Sequence, residues 1–312
     1  MSGDAAFHEG ELALQELVGA SRRLAEVGPR FIRDHMPQQH RDFFAQLPFL
    51  VAGAVDVHGQ PWASLLCGAP GFARSPDERS LQIDARAATG DPLDGLLERQ
   101  ARVGLLGIEA HTRRRNRMNG RIVDAGAGDG LTVVVEQSFG NCPKYIQARQ
   151  ARFEPARLAP GAVESLPGLD DAARRLVQAA DTLFIATTHP QVAQGNGRTS
   201  GVDVSHRGGR PGFVAVEGDA LWVPDYVGNS YFNTLGNLRL EPRCGLLFVD
   251  FERADALWVA ARAEIVLEAP DDGRVPRPQR WVRLQVRQVR RRAQAFPLAW
   301  GPAALAPELA GA

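Results

Sequence analysis

The chain has 312 residues, 44% apolar and 23% charged, an average globular composition that argues against wholesale disorder or a fibrous architecture and suits two domains of roughly 150 residues each. Lysine plus arginine equals aspartate plus glutamate at 36 each. No global field therefore draws the chain to nucleic acid or an anionic membrane, and any polyanion site must be local.

Taken in chain order, residues 1–47 read as a helical segment. Leu12, Leu14, Leu17 and Val18 sit among good helix formers until Gly28 and Pro29 stop the run, and Pro37 opens a second stretch through Phe43 and Phe44. Met1 to Gly10 lacks a basic region followed by an apolar one, and no apolar run approaches the roughly 20 residues of a membrane span. From Phe49 the texture changes to short β-branched segments bounded by Gly, Pro or Asp: Phe49–Val55, Leu131–Glu136, Thr182–Thr187, Phe213–Val216 and Gly245–Asp250. Residues 48–152 form a first β unit and residues 153–169 a linker carrying Pro155, Pro160 and Pro167. A capped helix at Asp170 then opens a second β unit over residues 170–298, and residues 299–312 read as a flexible tail. Gly126 to Gly130 is expected to be a hairpin turn, because a dinucleotide fingerprint would need a helix where Leu131 continues as strand.

An internal repeat runs through both units. Gly68-Ala-Pro-Gly-Phe72 recurs as Gly209-Arg-Pro-Gly-Phe213, and Gly104-Leu-Leu-Gly-Ile-Glu109 as Gly245-Leu-Leu-Phe-Val-Asp250, both at a shift of 141 that also carries Arg121 onto Arg262. Pro48 to Ala52 matches Thr182 to Ala186 at a shift of 134, implying a seven-residue insertion around Gln191 to Thr199. A duplicated pair of β domains follows.

Cys67, Cys142 and Cys244 are odd in number and widely spaced, which argues against a disulfide framework or structural zinc and predicts a reducing, cytoplasmic setting. The seven histidines show no metal-ligand spacing.

Asp203 to Phe213, Pro224-Asp-Tyr-Val-Gly-Asn229, Phe232 to Leu238, Pro242 and Gly245 to Asp250, with Asn116 to Arg121 and Asn141 to Ile146 in the first half, resemble the FMN-binding proteins related to pyridoxamine 5′-phosphate oxidase. The resemblance covers roughly residues 30–295. It implies a mainly β (α+β) fold of two tandem FMN-binding split β-barrels with short flanking helices. Such barrels usually dimerise around FMN, so one chain would supply a pseudo-dimer, with a homodimer of chains left open. The Arg-x-Val-Leu-Leu-Lys pattern of the vitamin B6 enzymes is missing, so the implied activity is hydride transfer at flavin N5 with an unidentified small-molecule substrate or electron donor. The alternative is a flavin- or haem-binding or electron-transfer module served by a reductase partner. Neither nucleic acid nor membrane is an expected partner.

Ser205, His206 and Arg207 before two glycines place a hydroxyl, an imidazole and a guanidinium where they could converge on a phosphate; a polar hairpin turn is the plain alternative. Asn229, Asn233, Thr234 and Asn237 offer neutral amides and hydroxyls to a flavin edge or ribityl chain, Thr234 and Asn237 sharing a face if helical. Lys144 and the pair Arg115 and Asn116 would reach across from the first half. No catalytic acid or base is assigned, and Cys142 reads as a small packed residue. At the shift of 141, His206 and Arg207 fall on Leu65 and Leu66, while Thr234 and Asn237 fall on Leu93 and Leu96. One FMN per chain is therefore expected, because a phosphate facing leucines loses water without gaining donors.

Overall fold

The computed structural model describes residues 5–126, 130–157, 160–194, 197–268 and 276–310; the middle of the turn expected at Gly126 to Gly130 lies outside them. Three helices lead: α1 (Glu9–Leu17), α2 (Ser21–Phe31) and α3 (Gln38–Ala45). The strands β1 (Phe49–Val55), β2 (Pro61–Cys67), β3 (Ala73–Arg74), β4 (Ser80–Asp84), β5 (Arg102–Glu109), β6 (Arg114–Asp124) and β7 (Gly130–Gly140) follow. The short strands β8 (Ala151–Phe153) and β9 (Glu164–Leu166) lead to α4 (Asp171–Ala179), whose first turn is capped by Asp170 accepting from Ala173 N–H at 2.8 Å. Then come β10 (Thr182–Thr188), β11 (Val202–Gly208), β12 (Ala215–Glu217), β13 (Ala220–Asp225), α5 (Asn233–Leu240), β14 (Arg243–Asp250), β15 (Asp255–Val266), β16 (Arg280–Arg292), β17 (Leu298–Trp300) and α6 (Pro307–Ala310).

The fold is mostly β and antiparallel. One sheet runs β2-β1-β5-β6-β7-β4-β3 and the other β11-β10-β14-β15-β16-β13-β12, with β9 added on β16. The orders correspond strand for strand. Ser64 pairs with Ala52 and Ser205 with Ile185, while Gly104 pairs with Gly53 and Gly245 with Ala186. The shift of 141 thus holds for β2 and β5, but β1 maps onto β10 at 133, not the 134 read from the sequence. A one-residue slip would turn every side chain of the strand to the wrong face, so the ladder decides the register.

The repeated glycines mark where the sheets press together. A Cβ on Gly104 would meet Val202 O at 2.8 Å, and one on Gly245 would meet Trp62 Cα at 2.7 Å. Only glycine lets each β5-type strand approach the opposite sheet's backbone so closely. One large apolar cluster fills the first half and reaches Phe184, Leu247 and Trp258 of the second; another, around Leu221, Leu246 and Val259, lies within the second half. Residues 301–310, part of the tail expected to fray, are docked: Arg210 Nη2 donates to Leu309 O at 2.6 Å, and Ala148 and Ala304 exchange backbone hydrogen bonds. Leu309 and Ala306 are buried beneath it, which offsets the entropy of ordering the tail.

Candidate functional site

An open cleft lies between the halves. Its lining brings together Ser205, His206, Arg207, Asn229, Asn233, Thr234, Lys144 and Arg115, eight of the ten residues singled out from the sequence. Asn116 and Asn237 lie outside it.

Asn116 stands on β6 between Arg115 and Arg117, and a pleated strand sends neighbours to opposite faces. It therefore shares its face with Met118 of the first core, whereas Arg117, next to it in sequence, enters the cleft. Asn237 lies one helical turn beyond Thr234 on α5. The shared face dives beneath the cleft there, and Asn237 Nδ2 donates to Thr187 Oγ1 at 3.1 Å. Tyr145, Asp225, Tyr226, Phe232 and Arg280 line the cleft without having been expected. Alternation from Arg115 signals Arg117; Arg280 is too distant in sequence for any local pattern to place.

Ser205 is the hub of the floor. Its Oγ accepts from Arg117 Nη2 and from Thr234 Oγ1 at 2.8 Å. Arg117 is buried over the Phe139 ring, pairs with Asp203 at 2.8 Å and donates through Nη1 to Asn233 Oδ1 at 2.9 Å. Asp225 bridges two arginines, with Oδ1 2.6 Å from Arg207 Nη1 and Oδ2 3.0 Å from Arg280 Nε. Arg207 is therefore already matched by a carboxylate while it lines the cleft.

Arg115 is different. Its Nε donates to Cys142 O at 2.7 Å and its Nη1 lies 3.1 Å from both His206 O and His206 Nδ1. Burial, with Arg117 and Arg207 nearby, pulls Arg115 down to about 9, the mark of a guanidinium short of counter-charge. The same burial, with Arg115, Arg149 and Arg207 around it, holds His206 well below its ordinary range, so the imidazole is neutral. A guanidinium only donates, so the Nδ1 facing it accepts and the ring proton sits on Nε2. Among the described residues, Lys144 has no hydrogen bond or ion pair.

Two further features converge on the cleft. Tyr145, Ser230 and Phe232 hold φ of 66°, 64° and 63°, a left-handed backbone that non-glycine residues keep only where their surroundings enforce it. Phe232 is also the N-terminal flank of α5, whose first turn has no side-chain cap and begins with the cleft-lining Asn233, Thr234 and Leu235. The whole is an anion-attracting cleft floored by one hydroxyl hub, with walls from both sheets.

This defines a mainly antiparallel β protein with a cationic cleft between two sheets of like order. No family model matches the chain, and no curated protein matches it. Solved structures similar to part of it include a variant of HupZ from Group A Streptococcus (12% identity, 39% of this chain and 97% of that one, TM-score 0.30). A provisionally assigned pyridoxamine 5′-phosphate oxidase from Lactobacillus delbrueckii (13% identity, 35% and 98%, TM-score 0.28) is another. HutZ, the haem storage protein from Vibrio cholerae, is a third (14% identity, 45% and 99%, TM-score 0.27).

Proposed function

We propose that the chain is a flavoprotein of the pyridoxamine 5′-phosphate oxidase-like superfamily, built as two tandem split barrels that hold one FMN in the cleft, and that it acts as an oxidoreductase on a small organic molecule. The observation that carries this reading is the uncompensated charge: Arg115 and Lys144 face the cleft without a carboxylate, while Arg117 and Arg207 are already paired. A phosphate dianion supplies the missing counter-charge with charge-assisted hydrogen bonds.

The donor set fits the rest of FMN too. Asn229, Asn233 and Thr234 give neutral amides and a hydroxyl beside the cations, and the Tyr145 and Tyr226 rings, 4.9 Å apart, form an aromatic wall. When bound, FMN would supply hydride exchange at N5. The chain's own residues position it, exclude water along Phe232 and Tyr226, and keep cations near the charge that develops on reduction.

A non-catalytic carrier or electron-transfer module is the second reading, favoured by one observation: the carboxylate and the imidazole of the cleft, Asp225 and His206, are both already engaged. Asp225 is held between two arginines and His206 is neutral and tied to Arg115.

Flavin released by denaturation, counted against protein, tests the cofactor, and anaerobic mixing with NADH or NADPH separates the readings. One FMN per chain with rapid bleaching supports the oxidoreductase. Stable colour under nicotinamide supports the carrier, and a colourless protein that takes up no FMN overturns both.

A further inference from the structure

Helix α1 lends no lining residue to the cleft, yet it reaches the floor from behind. It packs on α5 through paired glycines, so close that a Cβ on Gly236 would meet Glu11 N at 2.7 Å. This contact carries the Glu11 side chain under the site, where it is 3% exposed. Glu11 Oε2 accepts from His8 N–H at 2.8 Å, closing a capping box on α1. Oε1 does something no cap requires: it accepts from Asn233 Nδ2 at 2.5 Å. Asn233 Oδ1 in turn accepts from Arg117 Nη1 at 2.9 Å, and because arginine only donates, the amide orientation is fixed.

The groups facing Glu11 come from three elements and the segment before α1. His8 presents its Nε2 at 3.5 Å; β6 presents Arg117, β11 presents Asp203 and α5 presents neutral Asn233. Arg117 is thus one guanidinium serving two buried carboxyls, and it contacts Asp203 directly. The His8 and His189 rings lie 5.1 Å apart, and His189 Nε2 is 3.3 Å from Glu9, whose side chain is 69% exposed.

We propose that Glu11 is the internal counter-charge of the cleft, taking up one solvent proton on its carboxylate when an anion settles beside Arg117 and releasing that proton when the anion leaves. The inference rests on reading the cleft as an anion site. An added anion competes for Arg117, leaves Glu11 facing like charge and so favours its neutral form. Burial already pushes Glu11 up to about 8, so the exchange falls within reach of neutral pH.

The test is titration calorimetry of the full chain with FMN at pH 8 in two buffers of different ionisation enthalpy, repeated with sodium sulfate, neither ligand changing its own protonation there. Uptake of up to about half a proton per anion is expected from a group titrating near pH 8, with affinity falling as pH rises and Glu11→Gln abolishing both effects. Binding that releases or takes up no proton in the unaltered chain overturns the proposal, as does equal uptake in Glu11→Gln. The measurement on the unaltered chain stands even if that variant does not fold. Should FMN fail to bind, the flavin reading falls, while sulfate alone still decides the role of Glu11; if neither anion binds, both fall.

Discussion

The cleft has a counterpart related by the same shift of 141, and the two are built on one serine. In the cleft Ser205 Oγ accepts from Arg117; in the counterpart Ser64 Oγ accepts from Trp258 Nε1 at 3.3 Å. Arg115 becomes Ala256, His206 becomes Leu65 and Arg207 becomes Leu66. All three replacements are buried, and Trp258, fully enclosed, packs with Phe296 at 6.4 Å between ring centres. An indole stands where the other side has a guanidinium. The lesson is that one backbone frame yields either a charged opening or solid core, depending on whether the position opposite the serine carries a charge that must be solvated or an apolar surface that gains by burial.

The largest effect should come from removing that indole. Trp258→Ala is expected to cost about 3–5 kcal/mol in denaturant unfolding, because it deletes a buried side chain at a site with little room to collapse. Flavin stoichiometry should stay at one per chain. A second flavin appearing in this variant would mean that the counterpart is a plugged site and not core.

Each groove also carries a buried acid, and the pair should separate on pH. Burial raises Asp91 beside Ser64 to about 6 and Glu11 beneath the cleft to about 8. A folded-state value above the unfolded one means that the native chain holds the proton longer, so stability is lost as pH rises between the two values. Stability should therefore fall from about pH 4 to 6 through Asp91 and from about 4.5 to 8 through Glu11, each at no more than about 1.4 kcal/mol per unit. Asp91→Asn should reduce the slope between about pH 4 and 6 only, and Glu11→Gln the slope throughout about 4.5 to 8; unchanged slopes in both would refute the assignment.

Within the cleft, Arg115 and Arg207 should not be equal. Arg115→Met removes a guanidinium with no carboxylate of its own, and FMN affinity should weaken about ten- to a hundredfold, the worth of one charge-assisted contact. Riboflavin, which lacks the phosphate, should be affected less. Arg207→Ala should cost under about tenfold, since Asp225 already neutralises that side chain and keeps Arg280 as partner. A larger loss for Arg207 than for Arg115 would reverse the argument from counter-charge.

Much of this was legible in the sequence. The β texture follows from short-range chemistry, and the gathering of Ser205 to Arg207 with Lys144 and Arg115 at one cleft was what the family resemblance implied. What was hidden is pairwise and long-range. The carboxylate partner of Arg207, Asp225, lies 18 positions away. Arg280 and Glu11 reach the site from opposite ends of the chain, through contacts that no local pattern encodes.

The smallest effect is the most exacting. Asn116 and Arg115 are adjacent, both polar and both in the segment that resembles a flavin-binding family, so nothing in composition separates them. The pleat does: β6 pairs Asn116 with Gly107 on β5 and turns it to the Met118 side, and Arg115 pairs with Ile108 and turns to His206. Asn116→Ala should consequently leave FMN affinity within about twofold while Arg115→Met does not. Equilibrium binding of FMN by fluorescence quenching decides it in one comparison. A matching loss in both variants would place β6 in a register shifted by one residue, and with it would fall the assignment of Arg117 to the cleft floor.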